Sequence, residues 1–335
     1  MPPDTVSSVP TPTKHLPRLR RASADERPAF RLTARDREAM KIIFDNRWIT
    51  AELLQDLLSP VKLTDRQQEA LSKLRADKKA NAAGPPQRIK REIRRRLQLM
   101  YHHGFLQRKK IADGEPLAYT LGNLGAEELT LYYGIDRKEI DWTTRSRESS
   151  ERYIQHTLMV TRFRHALEVA LWDWPELKLE LWEPGGAFLA KVSYQDTLRT
   201  REGTRTQVVE GTVKPDSLFL LTHSAKGIHY FPEADRSTMS NARYLAKLKS
   251  YYAFWAMYVR DKPSSPIQQM RVLTITRSEE RKQNLRKIAD QISPEAKNLF
   301  WFICEKTYLG KPQEILRDNW QTLEDDTYRS LYTDA

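Results

Sequence analysis

From Ser150 onward the hydrophobic residues change their period again and again, and that alternation limits the folds open to the chain. SERYIQHTLMVTRFRHALEVALW (150–172) has apolar residues at helical spacing, and LKLELW (177–182) reads as a strand. A polar, β-rich stretch then leads to two apolar runs, SLFLLTH (217–223) and GIHYF (227–231), joined by Ser224-Ala225-Lys226. The helical pattern MSNARYLAKLKSYYAFWAMYV (239–259) follows, then the strand MRVLTIT, the helix SEERKQNLRKIADQI and a last strand within NLFWFICEKTYL. Helix, several strands, helix, strand, helix is the order of a mixed sheet with helices on both faces.

The N-terminal part has a different grammar. Thr33 is placed to cap a helix with Met40, Ile43, Phe44 and Trp48 on its apolar side, and Thr50 opens a second with Leu53, Leu54, Leu57 and Leu58. Ser59-Pro60 ends that helix. Residues 61–86 read as a polar helical insertion followed by the breaker AAGPP. A third helix, QRIKREIRRRLQLMYHHG, closes at Gly104, and the β-runs FLQRKKI and LAYTL flank the turn signal Asp113-Gly114. Three helices and a two-stranded wing are the order of a winged helix-turn-helix. The expected division is an arm over 1–30, a winged-helix domain over 31–135 with its insertion at 61–86, a linker over 136–150 and a second domain over 151–335. The fold class is thus mixed, α+β with α/β: a winged helix-turn-helix domain, then a mixed sheet flanked by helices.

Charge narrows the partner. The 335-residue chain carries a formal +12, and a basic surface attracts polyanions. Most of the excess sits in residues 87–110, where Arg88, Lys90, Arg91, Arg94, Arg95, Arg96, Arg108, Lys109 and Lys110 face the single acid Glu92. At about 100° per residue, Ile89, Ile93, Leu97, Met100 and Tyr101 form one arc, and Arg88, Arg91, Arg94 and Arg95 the opposite one. One arc packs; the other offers guanidinium forks to phosphates and base edges. This helix is third in the trio, the recognition position of a helix-turn-helix, and Arg108, Lys109 and Lys110 on the wing are set to reach the adjacent backbone. Double-stranded DNA is the expected partner.

Other chemistries lack their residues. Cys304 is the only cysteine, so no intrachain disulfide or thiolate zinc site can form, and a cytoplasmic setting is expected. The N-terminal arm lacks the apolar core of a secretory leader, and no apolar run approaches the ~20 residues of a membrane span. Glu183-Pro184-Gly185-Gly186 has no following P-loop lysine. His102-His103 lack the strand spacing of a two-histidine relaxase, and Tyr251 and Tyr252 fall on an apolar helical arc that reads as core.

Acids gather around the paired runs. Glu233 and Asp235 are two residues apart on a strand and share a face, and Asp216 begins the neighbouring strand. Three converging carboxylates suit a hard cation, Mg²⁺ or Mn²⁺. Arginine or lysine from Arg236, Arg243 or Lys247 would instead make the same acids a structural ion-pair network.

Pro215-Asp216, a strand and then Glu233-Ala234-Asp235 resemble the PD-(D/E)XK nuclease core. PDSLFLL, FPEADRST, the helical KLKSY, HTLMVTRFRHAL and RVLTITRSEERKQNLRKI resemble segments of the replication-relaxation family of plasmids and other mobile elements. The resemblance, over roughly residues 33–320, implies a restriction-endonuclease-like second domain with Asp216 and Glu233 as metal ligands. Asp235 stands where most of these nucleases have lysine, so the resemblance assigns the catalytic lysine to Lys247 on the following helix, with Lys249 next in line. Glu168 on the preceding helix is assigned to complete the metal shell. The implied function is DNA binding in the replication, relaxation or transfer of a mobile element, with Mg²⁺-dependent nicking; the alternative is a non-catalytic initiator or regulator. A homodimer, and partners from a replication or transfer machinery, are compatible with either.

Overall fold

The computed structural model describes residues 16–17, 20–58, 87–112, 114–140, 149–200, 203–224 and 226–332, side chains excepted at 87–90 and 198–200. The chain divides into two compact units, Met1–Ser149 and Ser150–Ala335. Among the described residues no helix is long and apolar enough to cross a membrane. The insertion expected at 61–86 and Asp113 of the turn signal lie outside the described residues.

In the first unit, α1 (Ala34–Asn46) starts where Thr33 accepts from Asp36 N–H while the Asp36 side chain accepts from Thr33 N–H, a capping box. The helix stops at Asn46, with Arg47 at φ 61°. Trp48 therefore enters the core from the turn and not, as the spacing suggests, from the helix. A short strand, β1 (Ile49–Thr50), and α2 (Ala51–Leu58) follow. Next come α3 (Gln87–His102), β2 (Leu106–Lys109) and β3 (Ala118–Leu121), in an antiparallel sheet of order β1-β3-β2. The helix α4 (Asn123–Tyr133), which has no counterpart in the sequence reading, packs on this sheet. A Cβ at Gly125 would meet the Phe105 carbonyl oxygen at 2.2 Å, so only glycine permits that approach. Met40, Ile43, Ile49, Leu54, Leu97, Met100, Leu106, Leu121 and Leu129 share one core.

The arm and linker assigned from composition are partly built into this unit. Ala22 is buried and its N–H donates to His102 Nδ1 at 3.0 Å; Phe30 stacks on His103 at 5.1 Å. Ile140 is also core. A few apolar residues in polar surroundings suffice to fix such segments, and mean composition does not register them.

The second unit begins with α5 (Glu151–Leu171), capped by Ser150. Its seven-stranded sheet contains β4 (Leu177–Pro184), β7 (Ser217–His223), β8 (Lys226–Asp235), β9 (Met270–Thr276), β10 (Phe300–Cys304), β11 (Trp320–Gln321) and β12 (Tyr328–Arg329). The order is β12-β11-β10-β9-β8-β7-β4. β8, β9 and β10 are parallel neighbours; the flanking pairs are antiparallel. The crossovers are α6 (Asn241–Tyr258) and α7 (Glu279–Ala289). Both pack on the sheet face that carries Phe231, Val272, Phe300 and Phe302, while α5 covers the face with Phe219, Tyr230, Leu273 and Trp301. Between β4 and β7 the chain makes a separate two-stranded ribbon, β5 (Ala190–Thr200) and β6 (Gly203–Val213), pinned to α6 by Lys249 on Asp196 at 2.5 Å. The second unit is thus mixed α/β with a large mixed sheet.

On the α5 face, Phe219 is stacked between Trp182 and Tyr230, with centroids at 5.5 Å and 4.7 Å. All three strands of the antiparallel half meet there. Phe219→Ala is expected to cost about 3–5 kcal/mol through reduced burial and a residual cavity. Urea unfolding followed by near-UV circular dichroism measures it; a loss under about 1 kcal/mol would mean the stack is peripheral.

Candidate functional site

The expected acids meet at one end of the sheet because the β7–β8 ladder stops short. Backbone pairing runs to Phe219 opposite Tyr230, and beyond it Pro232 has no N–H to give. Asp216 fills the gap: its N–H donates to Pro232 O at 3.1 Å, and its Oδ2 accepts from Ala234 N–H at 2.8 Å. A side-chain carboxylate thus completes the ladder where backbone pairing ends. Strand alternation turns Phe231, Glu233 and Asp235 toward α6 and α7, as the two-residue period requires.

Glu233 is 5% exposed. One carboxylate oxygen accepts from the Tyr251 hydroxyl at 2.5 Å and the other is ion-paired with Lys247. Lys247 and Tyr251 are one turn apart on α6 and so address the same strand. Asp216 Oδ1 meets His156 Nε2, from α5, at 3.0 Å. Residues from both helical layers therefore close on a cleft of about 110 Å³ lined by His156, Asp216, Glu233, Asp235, Tyr244 and Lys247, with Arg236 at its side.

The cleft separates Asp216 and Glu233 electrically. Burial pushes the Glu233 pKa up to about 7, with Lys247 opposing and Asp216 adding to the rise. Burial also acts against the Asp216 carboxylate, but the His156 hydrogen bond and charge outweigh it and hold its pKa below the ordinary value. For His156 and Lys247 burial disfavours the charged form, yet the neighbouring carboxylates raise both pKa values. Carboxylates whose pKa values are pushed apart occur both in acid–base sites and in structural ion-pair networks.

The other expected members have partners of their own. Asp235 borders the cleft, but Arg281 of α7 holds both its oxygens, at 2.9 Å and 3.1 Å, and Ser237 N–H donates to Oδ1 at 2.8 Å. Glu168 is paired with Arg164 at 2.6 Å, about 18 Å along α5 from His156, and does not line the cleft. Lys249 serves the ribbon. Among the described residues no three His, Cys, Asp or Glu side chains converge so as to hold a metal ion.

His156, Tyr251 and Arg281 escape a reading of the sequence alone. The four-residue spacing of Lys247 and Tyr251 is a usable signal. Nothing local marks His156 or Arg281, whose partners lie 60 and 46 positions away.

In the first unit the basic arc is narrower than its composition. Arg91, Arg94 and Arg95 are exposed; Arg94 reaches Glu52 at 2.7 Å and Arg95 meets Glu92 at 3.4 Å. Arg96 turns inward onto Asp36 and the Arg31 carbonyl, locking α3 to the start of α1. Arg108 lies over the Tyr101 ring at 3.9 Å, and Lys109 donates to Ser149 O at 2.6 Å. Lys110 is exposed. The Arg88 and Lys90 side chains lie outside the described residues.

Removing one partner of a buried ion pair strands the other charge. Lys247→Ala is expected to cost about 3–5 kcal/mol, with much of that recovered in Lys247→Ala/Glu233→Gln. A double-mutant cycle in urea checks this coupling, and additive losses would show that the pair is not a unit.

A family model described as replication-relaxation matches residues 74–268, more than half of the chain. No curated protein and no solved structure matches. The matched span takes in α3, β2, β3, α5, Asp216, Glu233 and all of α6. The chain belongs to the replication-relaxation family, which implies a role in the replication or relaxation of a plasmid or other mobile element.

Proposed function

We propose that this protein binds double-stranded DNA through a winged helix in its first unit and acts on it through a restriction-endonuclease-like second unit. The observation carrying the reading is the meeting of Asp216, Glu233 and Lys247 in one cleft at the sheet end. The framework agrees: α5, then β4, β7 and β8, then α6 and β9 follow the helix, three strands, helix, strand order of the PD-(D/E)XK core, with the β5–β6 ribbon as an insertion. In the first unit, α1, α2, α3 and the β2–β3 wing follow winged-helix order, with Arg91, Arg94 and Arg95 exposed on the third helix.

Asp216 and Glu233 are the residues that would hold Mg²⁺ or Mn²⁺. Mg²⁺ takes hard oxygens and needs only one or two carboxylates, the rest of its shell being water and substrate phosphate. Asp235 and Glu168 do not belong to that set, since arginines hold both. Such an ion supplies charge stabilisation at a scissile phosphate and an activated water. Lys247 then orients Glu233 and places a cation in the cleft, and His156 holds a proton at Nε2 against Asp216. The lysine that the usual motif puts two residues after the glutamate comes here from α6.

A second reading has an observation of its own. Each acid of the cleft already has a basic partner: Asp216 has His156, Glu233 has Lys247 and Asp235 has Arg281. A closed network of this kind suits a non-catalytic DNA-binding initiator or regulator, with the second unit retained for assembly.

Supercoiled plasmid incubated with Mg²⁺ or Mn²⁺ separates the two. The native chain is expected to nick or cut it, with Asp216→Ala and Glu233→Ala inactive though still DNA-bound; absence of cleavage by the native chain decides for the second reading. Changing Arg91, Arg94 and Arg95 to Ala should weaken duplex binding. It should also flatten the salt dependence by about 0.9 log units per log unit of salt for each phosphate no longer neutralised. An unchanged gel-shift titration would remove α3 from the interface.

A further inference from the structure

The parallel part of the sheet ends in an arginine cluster that the acidic cleft does not use. Register puts Asp235 beside Thr276, and Thr276 beside Cys304. One step further, Arg236, Arg277 and Glu305 leave the carboxyl ends of three adjacent parallel strands together, the edge at which open α/β sheets take their ligands. α5 adds Arg162, whose Nη2 is 3.2 Å from Glu305 Oε2, and Arg277 Nε is 3.9 Å from Oε1 of the same carboxylate. Arg236 is held in place by donation to Arg152 O at 3.0 Å and to the Gln155 side chain.

Two observations mark this cluster as short of negative charge. Arg162 and Arg277 share the one carboxylate of Glu305, Arg236 donates to neutral acceptors, and the Arg236 pKa is lowered by burial and then by Arg277, Arg152 and Arg162. Arg162 Nε is buried and has no hydrogen-bond partner among the described residues. Gathering like charges and orphaning a buried donor both cost free energy. An oxyanion accepting from several guanidinium groups would offset the like-charge cost, and arginine is the residue suited to phosphate oxygens.

We propose that Arg162, Arg236 and Arg277 form an anion site that receives a nucleic-acid phosphate beside the Asp216–Glu233–Lys247 cleft. Arg236 also lines that cleft, so one strand can engage both places. The proposal rests on the reading of the cleft as a nucleic-acid site, and it makes the cluster a positioning element: it fixes which phosphate of the backbone faces the acids.

The full-length chain tests it in two ways. In thermal unfolding at matched ionic strength, inorganic phosphate is expected to raise the Tm of the native chain relative to chloride. Arg277→Gln, at a residue whose side chain is 57% exposed, should fold normally in chloride and lose that shift. Arg162→Gln/Arg277→Gln should lose it too. In a background where Arg91, Arg94 and Arg95 are changed to Ala, adding Arg277→Gln should lower the salt slope of duplex binding by about 0.9. Equal phosphate shifts in the native chain and Arg277→Gln, or no shift in either, would overturn the site. An abolished phosphate shift with an unchanged DNA slope would mean free phosphate is the ligand, and would overturn the nucleic-acid assignment. The cleavage assay stands apart: an inactive native chain with both results intact removes the nuclease reading and leaves the anion site.

Discussion

The second unit depends on the neutralisation of one buried carboxylate. Glu233 sits in a strand with neighbours on both sides, and an isolated ionised acid there would be prohibitively costly. Lys247 and Tyr251 make its burial tolerable, and both come from α6. The crossover helix is therefore fixed to the sheet by a polar contact as well as by Leu248, Tyr244 and Phe254 packing over Val272 and Phe231. An apolar seam by itself tolerates small shifts along the helix axis. A lysine and a tyrosine one turn apart, both on the same acid, do not, so the contact that stabilises the helix also sets the cleft's geometry.

The same economy appears at Asp216. A proline in a central strand normally signals a wrong assignment, because the ladder loses a donor. Here the loss falls where the neighbouring strand is beginning, and the Asp216 carboxylate takes up the Ala234 N–H that the ladder leaves over. That one oxygen is engaged by backbone fixes the other toward His156 and the cleft. The geometry of the cleft thus follows from how an irregular strand end satisfies its hydrogen bonds.

Much of this is legible in the sequence, for reasons that vary by element. MRVLTIT and SLFLLTH are short apolar runs between turn signals, and both are strands at those bounds. Lys247 can be nominated because a missing lysine at position 235 prompts a search of the next helix. The α4 helix is hidden because Gly122 and Gly125 obscure its period, although the glycine is what allows its close packing. Asp235 shares a face with Glu233 as expected, yet a common face does not give a common partner. Arg281, from an element 46 residues on, captures it, and single-strand periodicity has no term for that. The ordered part of the N-terminal arm is hidden for a related reason: Ala22 and Phe30 are two residues in a polar segment, and distant groups, among them His102, His103 and Phe105, give them a place to pack.

Under the nuclease reading proposed above, aspartate at position 235 is a redistribution of charge and not a loss. With lysine at 235 the strand itself would supply the cation beside Glu233, and α7 would need no arginine. With aspartate there, Arg281 is required to neutralise it, which draws the start of α7 onto the end of β8 through bonds to Asp235 and to the Met239 carbonyl. Lys247 then carries the positive charge of the cleft from the opposite helix. Each of these two ion pairs ties a crossover helix to the strand whose end bears the acids. The carboxyl edge of the parallel strands is thereby held from both α6 and α7, while α5 contributes His156 and Arg162 from the other face. The edge thus carries acids at one side and guanidinium groups at the other, each held by contacts to a helix packed on the sheet.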